Sequence, residues 1–123
     1  MWKKILLWTL VLALVLELAL TLGGFAAPGF ALKLFEVAPT TDTFFLAHIV
    51  AWFCLLVTVL CGLAIWEVYT GSQGGWTLSY VLGIWWIGIG LALFFLFGRA
   101  GNLILDSLKG LIIVVAAWKT RRA

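Results

Sequence analysis

The chain has 123 residues, of which 65% are hydrophobic and only 11% are charged. A typical soluble domain carries about 25% charged residues, so this composition excludes an ordinary soluble domain and predicts an integral membrane protein. The net charge of +3 is small and is concentrated at the two chain ends, which excludes the folded basic face of a nucleic-acid-binding protein.

The apolar residues form four stretches that are long enough to cross a bilayer, which takes about 20 residues in a helix. They cover residues 5–22, 44–69, 76–97 and 103–118. Because backbone polar groups in hydrocarbon must bond internally, we predict an all-α, up-down four-helix bundle that forms one transmembrane domain over residues 1–123. The first stretch resembles a signal peptide, but its length and Glu17 favour an uncleaved helix.

The first connector carries a short apolar segment, residues 30–37. It is too short to span the membrane and too apolar for a free loop. We therefore predict a short interfacial helix, with Lys33 and Glu36 facing water. The next span is expected to begin with Thr41 or Asp42 as its N-cap.

Lysine and arginine residues predict the orientation of the four spans. With four spans, both termini and the second connector lie on one side of the membrane. That side carries more of the basic residues: Lys3, Lys4, Lys119, Arg121 and Arg122. The positive-inside rule therefore predicts a multi-pass protein with both termini in the cytoplasm, in a bacterial inner membrane.

Five charged or titratable side chains fall within or beside the spans and are the candidate ligand or proton sites. A charge at the centre of a membrane helix costs about 2.5–3.5 kcal/mol on insertion scales, so each of these side chains is expected to have a structural or functional role. Span positions place all five toward the outer side, as one polar cluster: Glu17, His48, Arg99, Asp106 and Lys109.

Asp106 and Lys109 are three residues apart and therefore share a helix face. Two interpretations remain open. Asp106 pairs with Lys109 or Arg99 while the Lys109 side chain extends outward to water. Alternatively, these residues form a polar pocket that binds a lipid headgroup or a small solute.

Glu17 belongs to a stripe with Thr9, Ala13 and Thr21 on one helix face, which predicts that it points toward other helices. It is either a hydrogen-bonded carboxyl that holds helices together or a proton or cation site. For His48 two interpretations are open. It has a structural or interfacial role, or it acts as a proton relay or as a ligand for a lipid headgroup.

No metal site or cofactor is predicted. Cys54 and Cys61 are ~10 Å apart along a helix, beyond disulfide reach, and most simply pack as small apolar side chains. With His48 they would spread over ~20 Å, too far for one ion. No motif for hydrolytic, nucleotide-binding or metal catalysis occurs.

Small residues indicate close helix packing in the second and third spans. The second span has them on one face: Ala47, Ala51, Cys54, Thr58 and Cys61. The third has Ser79, Gly83 and Gly90.

Residues 28–37, followed by residues 43–48, resemble a pattern in small, DoxX-like bacterial four-helix proteins. Glu36 stands where that pattern has glycine, and His48 where it has arginine. This resemblance implies a four-helix bundle and no defined reaction.

The chain also resembles small multidrug-resistance transporters, which are short, four-spanned and Trp-rich with an essential glutamate in the first span. Glu17 would match that glutamate, and Trp85 or Trp86 an aromatic of the third span. The long first connector and the charges in the fourth span depart from that family.

The sequence as a whole favours a non-enzymatic membrane protein, either an accessory subunit of a larger membrane complex or a module that binds membrane lipids or a small ligand. The alternative is a proton-coupled transporter or channel that works as a homo-oligomer, with Glu17 as the coupling carboxylate. A third hypothesis is a small lipid-acting enzyme with Glu17, His48 and Asp106 as acid–base groups.

Overall fold

The computed structural model describes residues 1–122, and every secondary-structure element in this range is helical. In chain order the elements are α1 (Trp2–Ala26), α2 (Pro28–Leu34), α3 (Thr41–Tyr69), α4 (Gln73–Phe97), α5 (Ala100–Asn102), a π-helix (Leu103–Leu108) and α6 (Lys109–Arg122). Four segments are long and apolar enough to cross a membrane: Trp2–Ala26, Thr41–Tyr69, Gln73–Phe97 and Ala100–Arg121. The predicted all-α, four-helix class is confirmed, and the chain is a multi-pass integral membrane protein.

The apolar segment after the first span forms a helix, α2, as the sequence predicts. Pro28 occupies the start of the helix, where a missing N–H costs no hydrogen bond. The helix ends in a Schellman motif, in which the Glu36 N–H donates to the Lys33 carbonyl (3.1 Å) and the Val37 N–H to the Leu32 carbonyl (2.9 Å). Glu36 has a φ of 59°, a left-handed conformation that glycine adopts more easily.

α3 is capped by Thr40, so the prediction of Thr41 or Asp42 as N-cap is wrong. The Thr43 N–H donates to the Thr40 hydroxyl (3.1 Å), and the Thr40 N–H donates to the Thr43 hydroxyl (2.6 Å). This reciprocal pair is a capping box built from two threonines. The cap lies upstream because Thr41 and Asp42 are already in the first helical turn.

Residue contacts divide the chain into two compact units. Unit 1 comprises Met1–Ala13 together with the chain from Leu60 onward, and unit 2 is Leu14–Val59. In unit 1, α4 packs against the π-helix and α6. The single transmembrane domain inferred from the sequence stays a prediction.

The small residues of α4 allow close packing in unit 1, which confirms the packing role predicted for them. Ser79, Gly83 and Gly90 are all buried. A Cβ added at Gly90 would lie 2.8 Å from the backbone nitrogen of Ser107. Only glycine therefore lets the two helices approach this closely.

One contact in unit 1 brings the start of α1 to the end of α3. The Lys3 ammonium donates a hydrogen bond to the Tyr69 carbonyl at 3.4 Å. The N-terminal residues and the second connector, which begins after Tyr69, therefore lie at the same end of this unit.

Candidate functional site

Unit 2 contains a partly open cavity of about 350 Å³ with almost entirely apolar walls. α3 supplies one wall with side chains spaced by three or four residues, which places them on one helix face. These are Thr43, Leu46, Ala47, Val50, Ala51 and Cys54. The opposite walls come from α1, from α2 and from the segment that follows α2: Leu20, Gly24, Ala31, Leu32, Phe35 and Val37.

A close approach of α1 to α3 shapes this cavity. A Cβ added at Gly24 would lie 2.7 Å from the Ala51 Cβ, so the two helices touch through their smallest side chains. Leu32 of α2 is buried at 8% exposure. The space between these three helices is the cavity, and no side chain of unit 2 fills it.

Cys54 lies at one limit of the cavity and pairs with Glu17. The Cys54 thiol lies beside the Glu17 carboxyl group, which is 8% exposed. One turn along α1, the Thr21 hydroxyl donates to the Glu17 backbone carbonyl at 2.8 Å. Ala13 and Thr21 of the predicted stripe are buried, and Thr9 is half-buried. Glu17 therefore points into the protein, as the stripe predicts.

His48 is exposed and belongs to an aromatic cluster with Phe25 and Trp52. The Trp52 Nε1–H donates to the His48 Nε2 at 3.3 Å. Phe25 packs edge-on against both rings, with centroid distances of 5.1 Å to His48 and 5.3 Å to Trp52. Because Nε2 accepts this bond, the neutral ring carries its proton on Nδ1. These contacts favour the interfacial interpretation of His48.

A polar network in unit 1 links three of the five candidate residues. Arg99 Nε donates to the Asn102 Oδ1 (3.0 Å), and the Asn102 Nδ2 donates to Asp106 Oδ2 (3.0 Å). The other Asp106 oxygen lies 3.6 Å from the Lys109 ammonium. Both oxygens of the Asp106 carboxylate are therefore engaged, which meets the requirement for burying a charge.

Lys109 is buried, whereas one of the two interpretations left open by the sequence has its side chain extending outward to water. Its side chain is 7% exposed, and its ammonium lies 4.2 Å from the centroid of the Trp86 ring. The predicted pairing with Asp106 is confirmed, but the predicted outward extension is wrong. The negative face of the Trp86 ring and the Asp106 carboxylate offset part of the cost of removing the ammonium from water.

The π-helix carries Asp106 and sets its position relative to α4. Ser107 in this element donates its hydroxyl to the Ile87 carbonyl at 3.0 Å and packs against Gly90. Single π-turns inside α-helices often occur at functional sites. The π-helix was not predicted, because hydrophobic periodicity does not distinguish it from an α-helix.

Three side chains of these sites were not predicted to take part in them. Asn102 lies three residues after Arg99 and four before Asp106, so helical spacing alone could have found it. Trp86 and Cys54 contact partners far away in the sequence, and no local pattern reveals those contacts.

The five candidates fall into separate surroundings within the described residues. Arg99, Asp106 and Lys109 share the network of unit 1, while Glu17 and His48 belong to unit 2 and have different partners there. One outer cluster of all five stays a prediction. Within residues 1–122, no group of three or more His, Cys, Asp or Glu side chains is arranged to hold a metal ion.

Comparison with protein-family models, with curated proteins and with solved structures finds no match to the chain. The resemblances to DoxX-like proteins and to small multidrug-resistance transporters therefore stay predictions, and the function is inferred from the two sites themselves.

Proposed function

We propose that this protein is a lipid-binding membrane protein and that the cavity of unit 2 holds one acyl chain. The cavity is the observation that carries this proposal. Its volume of about 350 Å³ falls within the range of small-molecule sites, roughly 300–1,000 Å³. Its walls are apolar, and most of its lining belongs to α1 and α3, two helices of membrane length whose surroundings are lipid chains.

The dimensions of the cavity also match a lipid chain. Its lining on α3 extends from Thr43 to Cys54, which corresponds to ~16 Å along the helix axis. One leaflet contributes about half of the ~30 Å hydrocarbon core, so the two lengths agree. The sequence favours either a lipid-binding module or an accessory subunit of a larger complex, and the cavity favours the lipid-binding module. A partner complex stays a prediction.

A matched pair of substitutions on α3 tests this proposal. Val50 lines the cavity and Val59 does not, and the two valines are similarly exposed, at 56% and 53%. Val50→Trp should fill the cavity and reduce the lipid that native mass spectrometry detects on the purified protein at least tenfold. Val59→Trp should leave the lipid in place. Equal lipid on both variants, each folded by circular dichroism, would contradict the proposal.

The second candidate function is proton-coupled transport, and the burial of the Glu17 carboxyl at membrane depth favours it. In that case Glu17→Gln abolishes proton-driven flux in liposomes while the protein still assembles. Glu67→Gln, near the end of α3 and outside unit 2, is the control and should retain flux. Normal flux in Glu17→Gln liposomes would exclude Glu17 as the coupling group.

We also propose that both termini lie in the cytoplasm of a bacterial inner membrane. The contact between Lys3 and Tyr69 supports the same-side location of the N-terminus and the second connector. Single cysteines placed at Gly74 and at Thr120, in a Cys54→Ala/Cys61→Ala background, should both resist an impermeant maleimide added to intact cells. Labelling of one but not the other would contradict the topology.

A further inference from the structure

We infer that the cavity selects acyl chains by length, with Cys54 as the residue that sets the limit. This inference rests on the proposed lipid-binding function and adds to it the orientation of the ligand and its specificity. It follows from the difference between the two ends of the cavity. We call Phe35, Val37 and Thr43 the connector end, and Leu20 and Cys54 the thiol end.

The connector end is adjacent to polar groups on the protein surface. Glu36 lies between Phe35 and Val37 and is exposed, and Asp42, next to Thr43, is exposed as well. A headgroup located here keeps its contact with water and with these polar side chains. The polar end of the ligand therefore lies at the connector end, and its terminal methyl group at the thiol end.

The thiol end stops the chain because the next groups are polar and already paired. Beside the Cys54 thiol lies the Glu17 carboxyl, which is three residues before Leu20 on α1 and is 8% exposed. A longer chain would have to separate this pair in a buried environment, and an unsatisfied buried polar group is costly. A methylene that fits against Leu20 gains affinity, whereas the first methylene that reaches the pair gains none.

The volume limits the ligand to one chain. About 350 Å³ is near the lower bound of small-molecule sites. The chain can come from a single-chain amphiphile or from a two-chain lipid whose second chain stays in the bilayer, and the same apolar walls would bind either source.

The test is a chain-length series with purified protein in a non-ionic detergent. Saturated fatty acids of 8 to 18 carbons compete with a fluorescent fatty acid, and the dissociation constant is measured for each. We expect affinity to rise by about fourfold per methylene, which corresponds to ~0.8 kcal/mol, and then to stop rising at one length. Lysophosphatidylcholines and phosphatidylcholines of the same chain lengths, measured in parallel, distinguish the two sources of the chain.

Variants of the thiol end decide whether Cys54 sets the limit. We call the chain length at which affinity stops rising the break in the series. Cys54→Leu should move this break to a shorter chain, and Cys54→Ala should move it to a longer one. Val59→Leu, a substitution outside the cavity on the same helix, should leave the break unchanged.

The outcomes separate the inference from the proposed function. A continuous rise through 18 carbons, or a break that neither Cys54 variant moves, would overturn length selection while leaving lipid binding intact. Failure of every chain to compete would instead contradict the proposed function. Cys54→Ala keeps the test valid if Cys54→Leu does not fold.

Discussion

Gly83 and Gly110 pack backbone to backbone where α4 meets α6. A Cβ added at Gly83 would lie 2.9 Å from the Gly110 carbonyl oxygen, and one added at Gly110 would contact the Gly83 carbonyl oxygen. Both of these carbonyl oxygens belong to the backbone, so neither can rotate away from an added Cβ. Small residues at such a crossing are what let membrane helices associate, because lipid provides no hydrophobic force between them.

Gly110→Ala should therefore destabilise unit 1. The added methyl group forces α4 and α6 apart, and overpacking of this kind costs about 1–3 kcal/mol. The loss is measured as a lower free energy of unfolding in mixed micelles of SDS and a mild detergent. Gly88→Ala is the control, because a Cβ there meets nothing within 4 Å. Similar losses in both variants would show that the crossing is not specific.

Glu36→Gly should stabilise the end of α2. Glu36 has a φ of 59°, where a residue with a Cβ is strained by about 1–2 kcal/mol and glycine is not. The free energy of unfolding should rise by up to about 1 kcal/mol, because glycine also loses more conformational entropy on folding. Glu36→Ala removes the same charge but keeps the strain, so it should not stabilise. A gain in both variants would assign the effect to the charge instead.

The fold class was predictable because a long apolar run that crosses hydrocarbon must satisfy its backbone hydrogen bonds internally, which it does as a helix. The ends of the helices were less predictable, since polar residues continue a helix beyond its apolar part. α3, for example, begins at Thr41, whereas the apolar run begins at residue 44. The Schellman motif at Glu36 was missed because a glutamate gives no signal of a left-handed conformation.

The sites were predictable only where their contacts are local. The pair Asp106–Lys109 follows from helical spacing, and so does the link through Asn102. The contact of Lys109 with Trp86 depends on how α4 aligns with α6, and that of Glu17 with Cys54 on how α1 aligns with α3. The cavity depends on the same alignments, so only a three-dimensional structure reveals it.

Thr40→Ala should weaken the start of α3. The substitution removes the hydroxyl that accepts the Thr43 N–H, and the loss of such an N-cap costs about 1 kcal/mol. Hydrogen exchange of the amides in the first turn of α3 should become faster. Thr41→Ala, one residue along, removes no capping bond and should leave exchange nearly unchanged. If Thr41→Ala has the larger effect, the cap assigned here is wrong.

Lys109→Met should destabilise the protein more than the double variant Lys109→Met/Asp106→Leu. Removing Lys109 alone leaves the Asp106 carboxylate, which is only 18% exposed, without its ammonium partner and with the Asn102 amide still donating to it; breaking a buried ion pair costs about 3–5 kcal/mol. Methionine preserves the contact with the Trp86 ring, so the loss reports mainly on the charge. Replacing both partners by apolar side chains removes the unpaired carboxylate and should recover part of that stability.

The free energies of unfolding of the wild type, both single variants and the double variant form a double-mutant cycle. Strictly additive losses around that cycle would mean that Asp106 and Lys109 do not interact, and that the Trp86 ring alone holds the ammonium.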